Sequence, residues 1–292
     1  MHQAVKPFAA RDIAALALVA VVWGVNNLAA KYAVQHLPPM LAVALRFALV
    51  SVVLVAWLKP VPNWKALALV AVTSGPIHFG VQFVGLSMAH DLTPMVIAMQ
   101  LWIPCSAIAA MLVLGERIGW RRGAGIALSF AGIAAMAADE SVARQWAPLG
   151  LVALAAAVYG LSAVLVRRAG TIHPLTFQAW IALATWTTLL PASLTFERFD
   201  WNELTHVPWL VWAAIVYGAI ASSVVANALL FHVVQRYEVS RTTPYLFASP
   251  VVAIGLGAVI LHDPITPKIA LGAGLTIAGV ALAALAERRS IR

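Results

Sequence analysis

Long apolar runs alternate with short polar connections along almost the whole chain. Ten of these runs approach the ~20 residues that an α-helix needs to cross the hydrocarbon of a bilayer. Because backbone N–H and C=O groups find no water there, apolar runs of this length predict helices rather than strands. The ten predicted spans are residues 13–30, 40–58, 66–86, 93–114, 123–138, 147–166, 175–194, 208–233, 242–261 and 269–286.

The composition indicates a polytopic membrane protein. Hydrophobic residues make up 62% of the chain and charged residues 10%, which leaves too little polar surface for a globular protein in water. Nine further runs follow the first, so we interpret the first as a retained signal anchor rather than a cleaved peptide. The single cysteine, Cys105, lies within a span, so no intrachain disulfide is possible.

The basic residues are distributed unevenly between the two sides of the predicted membrane. The net charge of +8 would suggest nucleic acid in a soluble protein, but here the positive-inside rule explains it, so no nucleic-acid partner is expected. Fourteen Lys and Arg on one side against four on the other predict that both termini are cytoplasmic. The chain has no N-x-[ST] site, which fits a bacterial inner membrane. The fourteen are Lys6, Arg11, Lys59, Lys65, Arg117, Arg121, Arg122, Arg167, Arg168, Arg236, Arg241, Arg288, Arg289 and Arg292, and the four are Lys31, Arg144, Arg198 and Lys268.

The two halves of the chain carry related motifs. WGVNNLAAKYAVQHLPP, which begins at Trp23, aligns with YGLSAVLVRRAGTIHPL, which begins at Tyr159. Further on, Glu116 aligns with Asp263 in a second matching stretch, so we infer an internal duplication. The predicted units are a first five-helix repeat at 11–138, a second at 147–286, and cytoplasmic tails at 1–10 and 287–292.

An odd number of spans in each unit places the second unit upside down relative to the first. Inverted repeats are typical of secondary transporters, in which a site near the bilayer midplane opens alternately to each side. The predicted fold class is therefore an all-α membrane protein, with ten transmembrane helices in two inverted five-helix repeats around a central cavity.

Several motifs resemble those of a known transporter family. They are W-G-x-N from Trp23, then Lys31, the pair Pro38 and Pro39, L-R-F from Leu45, and L-G-E from Leu114. With them, essentially the whole chain resembles the drug/metabolite transporter superfamily, in its ten-helix EamA-type branch. Within that branch it is most similar to the YddG-type exporters of aromatic and neutral amino acids. The resemblance implies efflux of small metabolites through a cavity between two five-helix bundles.

Polar and aromatic side chains within the spans are the candidates for the cavity lining. Polar groups in membranes favour the protein interior or an aqueous surface. A polar side chain could instead form an interhelical hydrogen bond, which is worth about 0.6 kcal/mol in membranes. An aromatic or Met side chain could instead pack against the protein core or the lipid. The candidates are Trp23, Asn26, Asn27, Arg46, Ser74, His78, Gln82, Met99, Gln100, Trp102, Tyr159, Ser162, Gln178, Trp180, Tyr217, Ser223, Asn227 and Tyr245.

Arg46 is the only basic residue well inside a predicted span, and no acidic residue lies at a matching depth. One interpretation is that it binds a substrate carboxylate or sets a positive potential at the outward vestibule. The alternative is that it snorkels to the outer headgroups or binds carbonyls at a helix end. The second half has Ala182 opposite Arg46, and Leu161 and Ser162 in place of the amides, so the cavity should be chemically lopsided.

Two further patterns have a structural interpretation. Small residues recur in the fifth and tenth spans, for example Gly132 and Gly279, and predict close helix packing rather than a substrate site. In the third span Ser74, His78 and Gln82 recur every four residues around Pro76, which predicts a bent helix with a freed carbonyl.

The predicted function is a secondary transporter that exports a small-molecule substrate, an aromatic or neutral amino acid, by alternating access. Carboxylates lie only at span ends or in loops, so facilitated efflux is favoured over a proton-coupled transporter of another metabolite or drug, in which His78 would carry the proton. The chain lacks G-x-x-x-x-G-K-[ST], H-E-x-x-H and G-x-S-x-G motifs, so we expect no ATP drive, enzyme activity, metal or cofactor. An intramembrane enzyme, a receptor and a lipid scramblase remain less favoured alternatives. The oligomeric state is open, and a monomer would suffice.

Overall fold

A computed structural model describes residues 9–169, 172–198, 201–234, 236–237, 242 and 245–290. Helices and turns make up this described part, and it contains no β-strand. The main helices, each coinciding with one predicted run, are α1 (Ala10–Val34), α2 (Pro39–Val53), α3 (Trp64–Met88), α4 (Leu92–Leu114), α5 (Trp120–Ala137), α6 (Trp146–Ala169), α7 (Pro174–Phe196), α8 (Trp209–Val233), α9 (Ala248–Leu261) and α10 (Pro267–Ser290).

Most of these helices are long enough to cross a membrane. Within the described residues, α1, α3, α4, α6, α7, α8 and α10 have the length and apolar composition for it, while α2 and α9 are shorter apolar helices. The prediction of an integral multi-pass membrane protein is confirmed. That all ten helices span the bilayer stays a prediction.

Local sequence explains where several helices begin. Pro39 and Pro174 occupy the first turns of α2 and α7, where a missing N–H costs nothing. The Asn63 side chain accepts a hydrogen bond from the Ala66 amide at the start of α3. These residues therefore define where the apolar helices begin after the polar connections.

The ends of α4 and α9 share one unusual backbone conformation. Gly115 follows α4 with φ +69°, and His262 follows α9 with φ +58°. After each of them, the next amide donates to a carbonyl six residues earlier, so both helices end in the same way. The two residues are 147 positions apart, which is the offset found in the sequence.

Two counterpart helices, α3 and α8, contain a π-helical turn near the middle. The turn spans Thr73–Ile77 in α3 and Gly218–Ala226 in α8. Pro76 lacks an N–H and therefore interrupts the α-helical ladder of α3. In α8 the Ser223 hydroxyl donates to the Gly218 carbonyl at 3.0 Å. The predicted disturbance around Pro76 thus takes the form of a wider turn.

The contacts between helices are also related by exchange of the two halves of the chain. The most extensive contact joins α5 to α10, and α2 packs on α7, so both of these pairs connect the first half to the second. Helix α1 packs on α9 and α8, while α6 packs on α4 and α3. Replacing each helix by its counterpart five places along converts one set of contacts into the other.

Helices α5 and α10 pack with their backbones in contact. A Cβ added to Gly132 would lie 2.4 Å from Thr276 Oγ1, and one added to Gly279 would lie 2.4 Å from Ser129 N. No side chain larger than hydrogen fits at those distances. The prediction that this small-residue pattern marks close helix packing is confirmed.

Two carboxylates cap helix N-termini across the fold. Asp263, after α9, accepts hydrogen bonds from the amide and hydroxyl of Thr93 at 2.7 and 2.8 Å, at the start of α4. Glu197, after α7, accepts from the amides of Met40 and Leu41 at the start of α2. Each negative charge meets the positive end of a helix dipole.

Lys31 caps a helix C-terminus in the complementary way. It is 2% exposed, and its ammonium donates to the carbonyls of Leu86, at 3.1 Å, and Ala89, at the end of α3. The sequence analysis counted it as a loop charge, so that interpretation is wrong. A buried cation in a cap carries no information about membrane orientation.

A hydroxyl cluster joins the connection after α5 to the connection before α10. Thr266 Oγ1 donates to Asp139 at 2.6 Å, and the Ser141 hydroxyl donates to the same carboxylate at 2.7 Å. These hydrogen bonds hold the pKa of the Asp139 carboxyl below its usual value. The carboxylate therefore stays ionised as a link between the two halves.

The charges assigned to the cytoplasmic side are only partly described. Arg122 lies 3.7 Å from Glu116, and Arg236 lies 3.6 Å from Asp12. The orientation of the termini stays a prediction, because several of the charges on which it rests lie outside the described side chains. These are Lys6, Arg167, Arg168, Arg241, Arg288, Arg289 and Arg292.

A Gly279→Ala substitution should destabilise the packing of α5 on α10. The methyl group would meet Ser129 N at 2.4 Å, and overpacking of this kind costs about 1–3 kcal/mol. We expect a lower midpoint of thermal unfolding in detergent. Gly274→Ala in the same helix is the control, because nothing lies within 4 Å of its Cβ position. Equal losses in both variants would contradict the assignment.

Candidate substrate site

A small cavity lies where three helices of the first half meet α8 of the second. Its volume is about 10 Å³, which is room for one water molecule and not for an amino acid. The walls are mainly alanine, with two polar side chains. The lining residues are Asn26, Ala29, Ala30, Ala33, Ala42, Arg46, Phe83, Ala214 and Ile215.

Helical periodicity brings Asn26 to this cavity. Residues three, four and seven positions further along α1 share its face, and all of them are alanines. Their small side chains leave α2 and α8 close to the α1 backbone. The amide is thereby the only polar side chain of α1 that lines the cavity.

Arg46 is buried, with 6% of its surface exposed. Its Nη2 donates to Ser223 Oγ at 3.0 Å, and its guanidinium carbon lies 5.6 Å from the ring centre of Phe47 and 5.8 Å from that of Phe79. It forms no ion pair with a carboxylate in the described part of the chain. The alternative that Arg46 snorkels to the headgroups is wrong, because the side chain reaches across to α8 instead.

Two buried polar atoms beside the cavity lack hydrogen-bond partners among the described residues. They are Asn26 Oδ1 and Arg46 Nε. A Cβ built on Gly218 would lie 3.2 Å from each of them. An acceptor and a donor therefore flank one point, and buried atoms left unpaired in this way are rare in folded proteins.

An aromatic chain leads away from Arg46 between α3, α4 and α6. Phe79 lies 4.7 Å from His78, His78 lies 4.7 Å from Tyr159, and Tyr159 lies 5.5 Å from Trp102, measured between ring centres. The His78 Nδ1 donates to the Ala155 carbonyl at 2.9 Å. Three predicted residues thus meet in one cluster next to the cavity, and their role in substrate binding stays a prediction.

Several predicted residues satisfy their hydrogen bonds within their own helices. These bonds run from Asn27 to the Trp23 carbonyl, from Gln100 to Val96, from Ser162 to Val158 and from Asn227 to Ser223. All four of these hydrogen bonds stay within a single helix.

Others lie apart from the cavity or face a different neighbour. Gln82 contacts Met99 Sδ at 3.5 Å, and Tyr217 donates to the Val22 carbonyl at 3.1 Å. Trp180 donates to the Lys59 carbonyl in the connection after α2, so the structure does not bring it to Arg46. Tyr245 packs on a small cluster with Leu16 and Val233, Ser74 is buried, and Gln178 is half-buried.

The sequence analysis missed the apolar residues that shape the site. Phe79 and Phe83 of α3 and Phe47 of α2 surround Arg46 and the cavity, and Gly218 of α8 packs close to both unpaired atoms. A phenylalanine or glycine in an apolar span carries no signal that distinguishes it from its neighbours. Within the described residues, no group of three or more His, Cys, Asp or Glu could hold a metal ion.

A Ser223→Ala substitution should destabilise the protein by about 1–3 kcal/mol, because it leaves a buried guanidinium donor without its acceptor. The measurement is the midpoint of thermal unfolding in detergent. Ser222→Ala removes a neighbouring buried hydroxyl for which no contact with Arg46 occurs, so it should have a much smaller effect. Equal effects would show that the Arg46–Ser223 bond contributes nothing specific.

Comparison with known proteins identifies related sequences. The model of the EamA-like transporter family matches twice, at residues 11–138 and 146–285. A probable amino-acid metabolite efflux pump of Escherichia coli K12 is 25% identical over 90% of this chain and 91% of its own. A probable terminal-alkyne amino-acid exporter of Streptantibioticus cattleyicolor is 28% identical over 61% of this chain and 59% of its own.

One solved structure has a similar fold. It is a crystal structure that aligns with a TM-score of 0.65, covering 98% of this chain and all of the other, at 20% sequence identity. At that identity the likeness concerns the fold alone.

Proposed function

Because the chain belongs to the EamA-like transporter family, we propose that it exports aromatic or neutral amino acids across a bacterial inner membrane. The names of the Escherichia coli and Streptantibioticus cattleyicolor relatives support amino acids as the substrate class. The uneven distribution of Lys and Arg supports the placement of both termini in the cytoplasm.

The proposed mechanism is alternating access between two inverted five-helix repeats. Its support is the exchange symmetry of the helix contacts, the left-handed residues after α4 and α9, and the family model that matches each half. The cavity between the halves has room for about one water, so an amino acid does not fit there in the described conformation. Substrate would enter only when α8 separates from α1 and α2 on one side.

The observation that carries the proposal is the burial of Arg46 at this cavity without a carboxylate partner in the described part of the chain. A buried guanidinium usually has an anionic partner, because desolvation of its charge is costly. A substrate carboxylate would supply that partner, with charge-assisted hydrogen bonds to the fork of donors that arginine presents. The position between the halves is where a carried solute has to bind.

An Arg46→Ala substitution should therefore lower transport of carboxylated substrates. Loss of a charge-assisted hydrogen bond, worth about 1.5–3 kcal/mol, should reduce the flux of L-leucine or L-phenylalanine in proteoliposomes about tenfold or more. Arg144→Ala is the matched control, since Arg144 is exposed and pairs with Glu140 in a loop. If Arg46→Ala reduces the amount of folded protein as much as the flux, its role is structural.

We also propose that transport follows the substrate gradient without proton coupling. None of the carboxylates described in the fold sits beside the cavity, and His78 engages a backbone carbonyl. Flux of L-leucine or L-phenylalanine into liposomes should be the same with and without an imposed pH gradient. Accumulation of substrate against its own gradient when a pH gradient is applied would refute this, and His78→Gln would then test the histidine as proton carrier.

A further inference from the structure

Building on the proposed function, we infer that Asn26 and Arg46 together form a site for the zwitterionic head of an α-amino acid. Asn26 Oδ1 accepts a hydrogen bond from the substrate ammonium, and the Arg46 guanidinium holds the substrate carboxylate. Gly218 of α8 packs closely against both residues in the described conformation.

The geometry of the unpaired atoms supports this assignment. Asn26 Oδ1 and Arg46 Nε are both buried, both residues line the same cavity, and both atoms lie 3.2 Å from the Cβ position of Gly218. The acceptor comes from α1 and the donor from α2, so a ligand admitted to this cavity by a movement of α8 meets both of them. The ammonium and carboxylate of an α-amino acid are joined through one carbon atom, so a single small head group carries the complementary donor and acceptor.

The energetics favour a ligand that satisfies both atoms together. In surroundings of low polarity an unpaired donor or acceptor is costly, so pairing both of them stabilises the bound state. The cavity now has room for one water, which the amino acid head would displace.

The charge of the site explains why both ends of the substrate matter. An amine without a carboxylate would place a second positive charge next to Arg46 and would be rejected. A carboxylate without an ammonium would leave the Asn26 oxygen unpaired. A site built to bind a substrate N–H discriminates against analogues that lack it.

Three probes separate these contributions on the purified full-length protein in detergent, with intrinsic tryptophan fluorescence as the binding signal. They are L-leucine, 4-methylpentanoate, which lacks the ammonium, and 3-methylbutylamine, which lacks the carboxylate. L-Phenylalanine, 3-phenylpropanoate and 2-phenylethylamine form a second set. Binding is measured rather than flux, because the uncharged forms of the analogues cross lipid by themselves.

The decisive variant is Asn26→Leu, which keeps the size of the side chain and removes the acceptor. It should weaken amino acid binding about tenfold or more, the loss expected for a hydrogen bond to a charged group, and leave the affinity for the matching carboxylate analogue unchanged. Gly218→Ala should also weaken amino acid binding, because its methyl group would occupy the space beside both atoms. Asn63→Leu, at the exposed cap of α3, is the control and should change none of the affinities.

Two results would overturn the inference, and both leave the proposed function standing. One is an Asn26→Leu variant that binds the amino acid as tightly as the wild type does. The other is an equal loss of affinity for the amino acid and its carboxylate analogue, which would mean that the amide is structural. If the wild type binds neither amino acid, the proposed function fails as well.

Discussion

The structure depends on one constraint, which is that hydrocarbon offers no hydrogen-bond partner to a polar group. Helices satisfy this constraint for the backbone, and side chains such as Asn27 and Asn227 satisfy it by binding carbonyls of their own helices. At the ends of helices, Asp263 and Lys31 satisfy it by capping a helix terminus across the fold. Against this background Arg46 Nε and Asn26 Oδ1 stand out, because both are buried without a partner among the described residues and belong to the same cavity.

The two halves share their backbone but not their chemistry. Both have a π-helical turn in the third helix and a left-handed residue after the fourth. The position of Arg46 is nevertheless taken by Ala182 in the second half, and the position of Asn26 by Ser162. Helix packing depends mainly on small residues, so both copies of a duplicated fold can keep it. Binding depends on a few polar atoms, so one copy alone can supply the charged group.

The sequence was sufficient to predict much of the fold. Apolar runs located the helices, and the glycines at 132 and 279 indicated that α5 and α10 pack closely on neighbouring helices, because both signals act over one or two turns. It also selected Arg46 and Asn26, since a polar group in an apolar run needs an explanation. It could not reveal that Phe79 and Gly218 border them, because that depends on how α3 and α8 turn at their π-helical segments. It misassigned Lys31 for the same reason, as only the assembled fold shows which carbonyls it reaches.

The one-sided placement of Arg46 has a thermodynamic corollary. Because the two halves differ, a solute that enters from the inner face meets different side chains from one that enters from the outer face. The two rates of binding therefore differ. Detailed balance nevertheless requires that an uncoupled carrier brings its solute to equal activity on both faces, however asymmetric its binding groups are. If transport is uncoupled, a cell that exports with this protein does so by making more of the solute than it consumes, and reversing that imbalance would reverse the flow.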